Sequence, residues 1–300
     1  MKVSAFTYVR NGFEFGYPFI ESIKSLYAFV DEYVVVVGDS TDGTREAVAA
    51  LGNKIVIVDS IWNLDDRKNG RLFAQQSNMG IERCTGDWLI HLQADEVLHE
   101  KDVPKLLASI EKYRDHPRVE GLLFPFLNFR GDYYHIHTGR TAHRFEIRAF
   151  RKNSEIRSYR DSQGFRKYTN ERDYQEGGRG IKLKVVKIDV PVFHYSYTRS
   201  PRLMTKKANF FVRFYNDDQQ LEKIVSNHKP EYDYNETDRL DKFTGSHPAT
   251  MLERISKQDW SFVYDPKKAR VSLRHRFLNA IERITGYRIG EFKNYRLIKA

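Results

Sequence analysis

Two apolar runs near the start of the chain each end in a cluster of short, oxygen-bearing side chains. Val34-Val35-Val36-Val37-Gly38 leads into Asp39-Ser40-Thr41-Asp42-Gly43-Thr44, and Asp87-Trp88-Leu89-Ile90-His91-Leu92 leads into Gln93-Ala94-Asp95-Glu96. Strand ends are where an α/β protein gathers its polar chemistry. In the first cluster Gly43 permits a turn, and Thr41 or Asp42 can cap the following helix. A capped helix after a buried strand would use the same residues, so this cluster alone has two readings. The second is more specific, because ionised carboxylates at adjacent Asp95 and Glu96 repel unless solvent or a cation lies between them. Such carboxylates suit Mg2+ or Mn2+, which take few protein ligands and leave positions for phosphate oxygens. Exposed loop acids are the plain alternative. Together the clusters describe a site for a cation carrying a phosphorylated ligand, and hence an enzyme.

The elements that must hold these clusters follow from hydrophobic period. Val3–Val9 reads as a strand, and Tyr17-Pro18 opens an amphipathic helix with Phe19, Ile20, Ile23, Leu26, Tyr27 and Val30 on one side. Tyr33–Val37 is a β-branched run suited to a buried parallel strand. A short helix over Gly43–Leu51, a strand over Lys54–Val58, a helix over 70–83 and a strand over Trp88–Leu92 follow. The helix Val103–Tyr113 and the strand Gly121–Phe126 complete the series. Alternation of this kind predicts a mostly parallel sheet with helices on both faces. Beyond Asn128 the rhythm changes. Phe145–Arg151 and Ile181–Ile188 read as strands, Pro191–Tyr197 as extended, and Ser200-Pro201 as the start of a helix reaching Tyr215. Residues 216–247 read as loop or short helix, with helices over Ala249–Gln258 and Val271–Thr285.

Composition bounds the function classes. Of the 300 residues 40% are apolar and 30% charged, enough for a sizeable core. No stretch approaches the ~20 apolar residues of a membrane span. The opening Met1-Lys2-Val3 runs straight into a strand without a signal-like segment. A single cysteine, Cys84, excludes an internal disulfide and fits a reducing, cytoplasmic setting, with the thiol as a packing residue. The net charge is +10, yet from Pro266 onward ten Lys/Arg face only Glu282 and Glu291, so +8 of it lies in that last segment. The near-balanced remainder argues against a nucleic-acid-binding face on the main domain.

Three blocks in series resemble family 2 glycosyltransferases. Asp39-Ser40-Thr41-Asp42-Gly43-Thr44 resembles their Asp-Gly-Ser-x-Asp-Gly-Thr signature. Asn78, followed by Gly86-Asp87-Trp88 through Gln93-Ala94-Asp95-Glu96, resembles their Arg-Asn…Gly-Asp-Trp…Asp-Ala-Asp-Glu block. His194-Tyr195-Ser196-Tyr197, with Met204, Lys206 and Lys207 after it, resembles the His-Tyr segment that closes many such domains. The resemblance spans roughly residues 1–215. It implies a GT-A-like fold, a nucleotide-sugar donor and inversion at the anomeric carbon. In that picture Asp39, Asp42, Asn78, Gln93 and Asp95 bind the donor. Asp95, with His194, holds Mn2+ or Mg2+ on the diphosphate. The chain departs from the pattern twice: Gly38 stands where the nucleoside-contacting Asp falls, with Asp39 one position later, and Gln93 replaces the first Asp of the Asp-x-Asp motif. Gln can hydrogen-bond a ribose hydroxyl but brings no charge.

An inverting transferase needs a base for the acceptor hydroxyl proton. Asp161 in Asp161-Ser162-Gln163-Gly164-Phe165 is the first choice and Glu171 the second, while a turn residue beside Gly164 would look the same. Arg148 reads as a strand-edge charge before a phosphate or acceptor contact. His135 and His137 alternate on one segment, but without a completing ligand set they favour an acceptor wall with Tyr133 and Tyr134 over zinc.

The expected organisation is a catalytic domain over 1–230 and a basic, mostly helical extension over 231–300. In the extension Leu273, Phe277, Ile281 and Ile284 form one stripe, suited either to packing on the domain or to an anionic membrane at its inner face. The expected acceptor is a glycan or lipid-linked hydroxyl in cell-surface polysaccharide or lipopolysaccharide biosynthesis. Two rivals are a degenerate glycan-binding or scaffold relative and a nucleotidyltransferase. The latter wants a Gly- and Lys/Arg-rich loop where Tyr8-Val9-Arg10-Asn11-Gly12-Phe13 stands.

Overall fold

The computed structural model describes residues 1–63, 71–161, 164–216, 218–227, 229–269 and 271–300. The predicted helix start at Gly70, the pair Ser162-Gln163 beside Asp161, and Arg270 of the basic segment lie outside these residues. The chain opens with β1 (Val3–Val9), α1 (Phe19–Tyr27), β2 (Glu32–Val37), α2 (Thr44–Ala49), β3 (Ile55–Asp59), α3 (Arg71–Arg83) and β4 (Trp88–His91). It continues through β5 (Glu96–Leu98), α4 (Val103–Lys112), β6 (Gly121–Arg130), β7 (His135–His137) and β8 (Phe145–Arg151). Then come β9 (Ile156–Ser158), β10 (Phe165–Lys167), α5 (Glu171–Gln175), β11 (Ile181–Lys182), β12 (Lys184–Lys187) and β13 (Val192–Tyr197). The last elements are α6 (Pro201–Val212), α7 (Asp218–Ser226), β14 (Leu240–Lys242), α8 (Leu252–Ser256), α9 (Leu273–Thr285) and β15 (Arg296–Leu297).

These form an α/β architecture around a twelve-stranded sheet whose main path is β14-β7-β6-β8-β4-β1-β2-β3. β1 runs parallel to both β2 and β4, and β2 parallel to β3, which puts their C-terminal ends along one edge. Side-chain alternation divides the core between the two faces. Tyr33, Val35 and Val37 join α1 and α4 on one side, while Phe6, Val34 and Leu89 join Ile81 and Cys84 on the other. Burial on both faces is why β2 reads as an unbroken apolar run. It also pushes the Cys84 thiol up to about 12, as expected of a packing cysteine.

After β5 the parallel rule gives way. β8 lies antiparallel between β4 and β6, and β13 runs parallel to β6 but antiparallel to β5. The run Ile181–Ile188 is not one strand: β11 joins a small sheet with β10 and β9, whereas β12 pairs with β6 and β15. Residues 216–247 supply α7 and β14, and the helix expected over Ala249–Gln258 is a 3-10 turn followed by the short α8. The region after residue 230 therefore contributes two strands, β14 against β7 and β15 against β12, besides its helices.

Candidate active site

The loops after β1 and β2 are laced together by backbone donors meeting short side chains. Ser40 Oγ accepts the Asn11 N–H (3.0 Å), Asn11 Oδ1 the Thr41 N–H (3.0 Å) and Thr44 Oγ1 the Gly12 N–H (2.8 Å). Asp42 accepts the N–H of Glu14 (2.7 Å) and the hydroxyl of Thr44 (2.6 Å), so its carboxylate braces this double loop. Asp39 takes a bidentate pair from Arg10 (2.9 and 3.0 Å) and the Trp62 N–H (3.1 Å). Gly38 is there for space: a Cβ would sit 2.7 Å from Trp62 Nε1 and 2.9 Å from Arg10 Cβ. The carboxylate missing from position 38 has no room to exist.

Arg10 and Trp62 in turn line a cavity of about 420 Å3 over the strand ends. Gln93, Ala94 and Asp95 reach it from the end of β4, and Asp161 and Tyr215 from the far side. Its cover is α6. Ser200 caps this helix and Pro201 starts it, and Met204, Lys207, Ala208 and Phe211 all reach the cavity. Spacings of three and four residues put them on one face. Phe211 stacks on Phe73 (5.6 Å between centroids), and Arg10 lies 5.8 Å over Trp62 and 5.5 Å over Phe210.

The adjacent carboxylates of the second cluster part company. Glu96 turns inward and forms a fully buried bidentate pair with Arg148, both bonds 2.6 Å. Burial pushes the Glu96 carboxyl up, but Arg148 outweighs it and holds it below the carboxylate range. Arg148 is thus neither a strand-edge charge nor a phosphate or acceptor contact, because β8 lies inside the sheet, where a guanidinium needs a partner. Asp95 turns to the cavity, with Lys207 Nζ 3.5 Å from Oδ2 and His194 Nε2 3.7 Å from Oδ1. Burial opposes its ionisation, yet Lys207, His194 and Arg199 together hold it at about 2. Burial and then Arg199 pull the Lys207 ammonium down to about 7, with Asp95 opposing them.

His194 comes from β13, whose pairing sets it opposite Glu96 on β5 and Asn128 on β6. Asn128 Nδ2 donates to the His143 carbonyl (2.8 Å), so its Oδ1 is the acceptor facing His194 Nδ1 (2.9 Å). The Nδ1 position therefore carries a proton, and Nε2 faces Asp95. Burial pulls the His194 pKa below the ordinary imidazole value, with Asp95 and Glu96 opposing it. A carboxylate and an imidazole whose ring Asn128 orients suit Mn2+ or Mg2+, with phosphate oxygens completing the shell. Among the described residues no group of three or more His, Cys, Asp and Glu side chains could hold a metal ion by itself.

Of the remaining sequence candidates only Asp161 reaches the cavity. Asn78 is absent from the cavity wall; it ties α3 to β9 and α5, donating to Tyr174 Oη (2.6 Å) and accepting the Ser158 N–H (2.8 Å). Asp161 does reach the cavity, where its Oδ2 accepts the Tyr215 hydroxyl (3.2 Å). Glu171 begins α5 and faces Arg157 at 3.6 Å. His135 and His137 meet Asp132 (2.8 Å) and Asp238 (2.5 Å), and Tyr133 is buried against Tyr195 and Trp260, so of that expected wall only Tyr134 is exposed. Arg10, Trp62 and Tyr215 carried no signal in the sequence. Lys207 carried one, three residues after Met204 on a helix starting just past His194-Tyr195.

Compared with protein-family models, the sequence matches glycosyl transferase family 2 over residues 7–188, more than half of its length. The chain belongs to that family. It is a glycosyltransferase, and the strand ends described above fall within the matched segment, while His194 and the covering helix α6 lie just beyond it. Among solved structures it is similar to S. aureus TarS residues 1–349, at 16% identity over 75% of this chain and 69% of that one, with a TM-score of 0.41. It is likewise similar to the mannosyltransferase PcManGT from Pyrobaculum calidifontis in complex with GDP-Man and Mn2+, at 16% identity over 76% and 65%, TM-score 0.41. A shorter likeness, 43% of this chain and 44% of the other at 20% identity and TM-score 0.29, is to glucosyl-3-phosphoglycerate synthase from Mycobacterium tuberculosis. A comparison with curated protein sequences gives no match.

Proposed function

We propose that this glycosyltransferase moves a sugar from a nucleotide-diphosphate donor to a hydroxyl of a glycan or lipid-linked acceptor, with inversion, in cell-surface polysaccharide or lipopolysaccharide assembly. The observation that carries the reading is Asp95 on the cavity wall, ionised and backed at 3.7 Å by His194, whose ring Asn128 orients. Those two side chains would hold Mn2+ or Mg2+, which when bound supplies positive charge against a diphosphate leaving group. Lys207 adds a cation at the same place, and Gln93 offers an amide to a ribose hydroxyl. Asp39 and Asp42 serve the nucleoside end, Asp39 by orienting Arg10 and Asp42 by bracing the loop that carries it. Asn78 supports the site from α3, which it ties to β9 and α5.

On the acceptor side Asp161 is the proposed base. The attacking hydroxyl gives its proton to the Asp161 carboxylate while the new glycosidic bond forms and the bond to the diphosphate breaks. The Tyr215 hydroxyl, which donates to Asp161, fixes the carboxylate's direction. The basic C-terminal segment belongs to the same reading as a peripheral contact with an anionic membrane face. No helix among the described residues is long and apolar enough to cross a membrane.

Isothermal titration with a panel of nucleotide sugars, with and without Mn2+, tests the assignment. One donor should bind, more tightly with Mn2+, and Asp95→Asn should remove the metal-dependent part. Binding of no donor would instead favour a degenerate glycan-binding relative.

A further inference from the structure

Helix α9 is well formed but packs the wrong way round for a soluble surface helix. Ser272 caps its start, accepting the His275 N–H, and Gly286 ends it in the left-handed region at φ 68°. Its polar contact with the body of the molecule centres on Glu282, beside the half-buried Leu278 and Ile281. Glu282 meets Arg140 (2.9 Å), Arg288 (2.8 Å) and Arg144 (3.6 Å), and Arg144 also pairs with Glu291 (2.6 Å). Leu273, Phe277 and Ile284 are 82%, 67% and 85% exposed. At 3.6 residues per turn these three fall within about 40° of one another, and Glu282 lies roughly opposite them. Arg274 and Arg276 flank the stripe on its two sides. Tyr287, Ile289 and Phe292 extend the exposed apolar surface just past the helix.

From this we infer that the outward face of α9 is a docking surface for an anionic lipid bilayer. An apolar stripe flanked by arginines fits a headgroup region, where the stripe enters the acyl boundary and the guanidinium groups stay with the phosphates. The occupant is set by charge. The segment from Pro266 onward carries +8, which attracts an acidic membrane and repels a second copy of itself. The protein's own interior is ruled out as well, because the opposite side of the helix, with the Glu282 network and the half-buried Leu278 and Ile281, already faces it.

The docking also points the active site. Arg140 and Arg144 belong to the loop between β7 and β8, and that loop carries His143, whose carbonyl holds Asn128 and through it His194. A bilayer under α9 would thus lie against the loop that reaches the proposed metal site, within reach of an acceptor hydroxyl on a lipid-linked glycan. This last step rests on the transferase reading; the lipid contact does not.

Flotation of the full chain with vesicles tests the inference. Vesicles of phosphatidylcholine with roughly a third phosphatidylglycerol should carry the protein upward, pure phosphatidylcholine should not, and high salt should weaken binding. Leu273→Glu/Phe277→Glu/Ile284→Glu should cut partitioning by at least ~100-fold. Arg274→Ala/Arg276→Ala should cut it roughly 30-fold. Circular dichroism and donor hydrolysis in vesicle-free buffer should stay at wild-type levels in both variants, since none of these residues touches the cavity. Wild type left in the free fraction, or a triple variant that floats equally well, would overturn the inference. So would a wild-type dimer that the triple variant breaks without any vesicle binding, which would give the face to a second copy. Hydrolysis in vesicle-free buffer reports on the transferase reading separately, so either idea can fail alone.

Discussion

The ends of β2 and β4 look alike on paper, an apolar strand running into acids, but they spend their carboxylates differently. At β2 both acids are used by the protein itself: Asp39 on Arg10 and the Trp62 N–H, Asp42 on a loop it helps to close. At β4 the work is divided between neighbours. Glu96 is locked inside the sheet by Arg148, and this leaves Asp95 as the one acid of the pair directed at the cavity. A strand end becomes a binding site when its structural needs are met by someone else. Here Arg148 meets them, reaching across from β8.

Breaking the inner half should have the largest effect. Arg148→Met leaves Glu96 buried and uncompensated, and unfolding in urea should show a loss of about 3–5 kcal/mol. If the variant folds with near-wild-type stability, the division of labour at β4 is not what the geometry implies. Breaking the outer half should look different. Asp95→Asn should lower transfer by about 100- to 1000-fold while shifting the unfolding midpoint far less than Arg148→Met does. Asp161→Asn should also remove transfer but leave donor binding intact in a titration, because the base acts on the acceptor. A loss of donor binding in that variant would move Asp161 to the donor side.

The fold was legible where period is strong. The βαβ series from Val3 to Phe126 reads correctly apart from the short β5, because β1, β2 and β4 are buried on both faces and α1 and α4 each show one apolar stripe. Legibility ends where strands from distant parts of the chain interleave. Nothing in Val192–Tyr197 says that it lies between β5 and β6, and yet that placement brings His194 to Asp95. The pairing of Glu96 with Arg148 is hidden for the same reason, since a buried bidentate pair and an exposed acid and base are spelled identically. Asn78 errs in the opposite direction. It sits in a family-like block, but both ends of its side-chain amide are used in joining α3 to β9 and α5.

At β2 the effects should be smaller and should fall on stability. Arg10→Ala breaks a partly exposed pair with Asp39, where the side chains are 20% and 41% exposed, so the stability cost should stay near ~1 kcal/mol. Its consequence for donor affinity should exceed its consequence for folding, because Arg10 lines the cavity.

Asp42 gives the finest test. Burial pushes its carboxyl up, but the Thr44 hydroxyl and the N–H groups of Glu14 and Thr44 outweigh burial and leave it below the usual Asp value. The folded state thus favours the carboxylate. Its contribution is complete above the unfolded Asp pKa of about 3.9 and is lost as the pH falls through the folded value. Asp42→Ala should therefore cost about 1–2 kcal/mol at neutral pH, with the gap to wild type closing in acid and donor affinity falling only slightly, through the loosened loop that carries Arg10. If the substitution instead weakens donor binding by about tenfold at unaltered stability, Asp42 contacts the ligand and the two strand ends work in the same way.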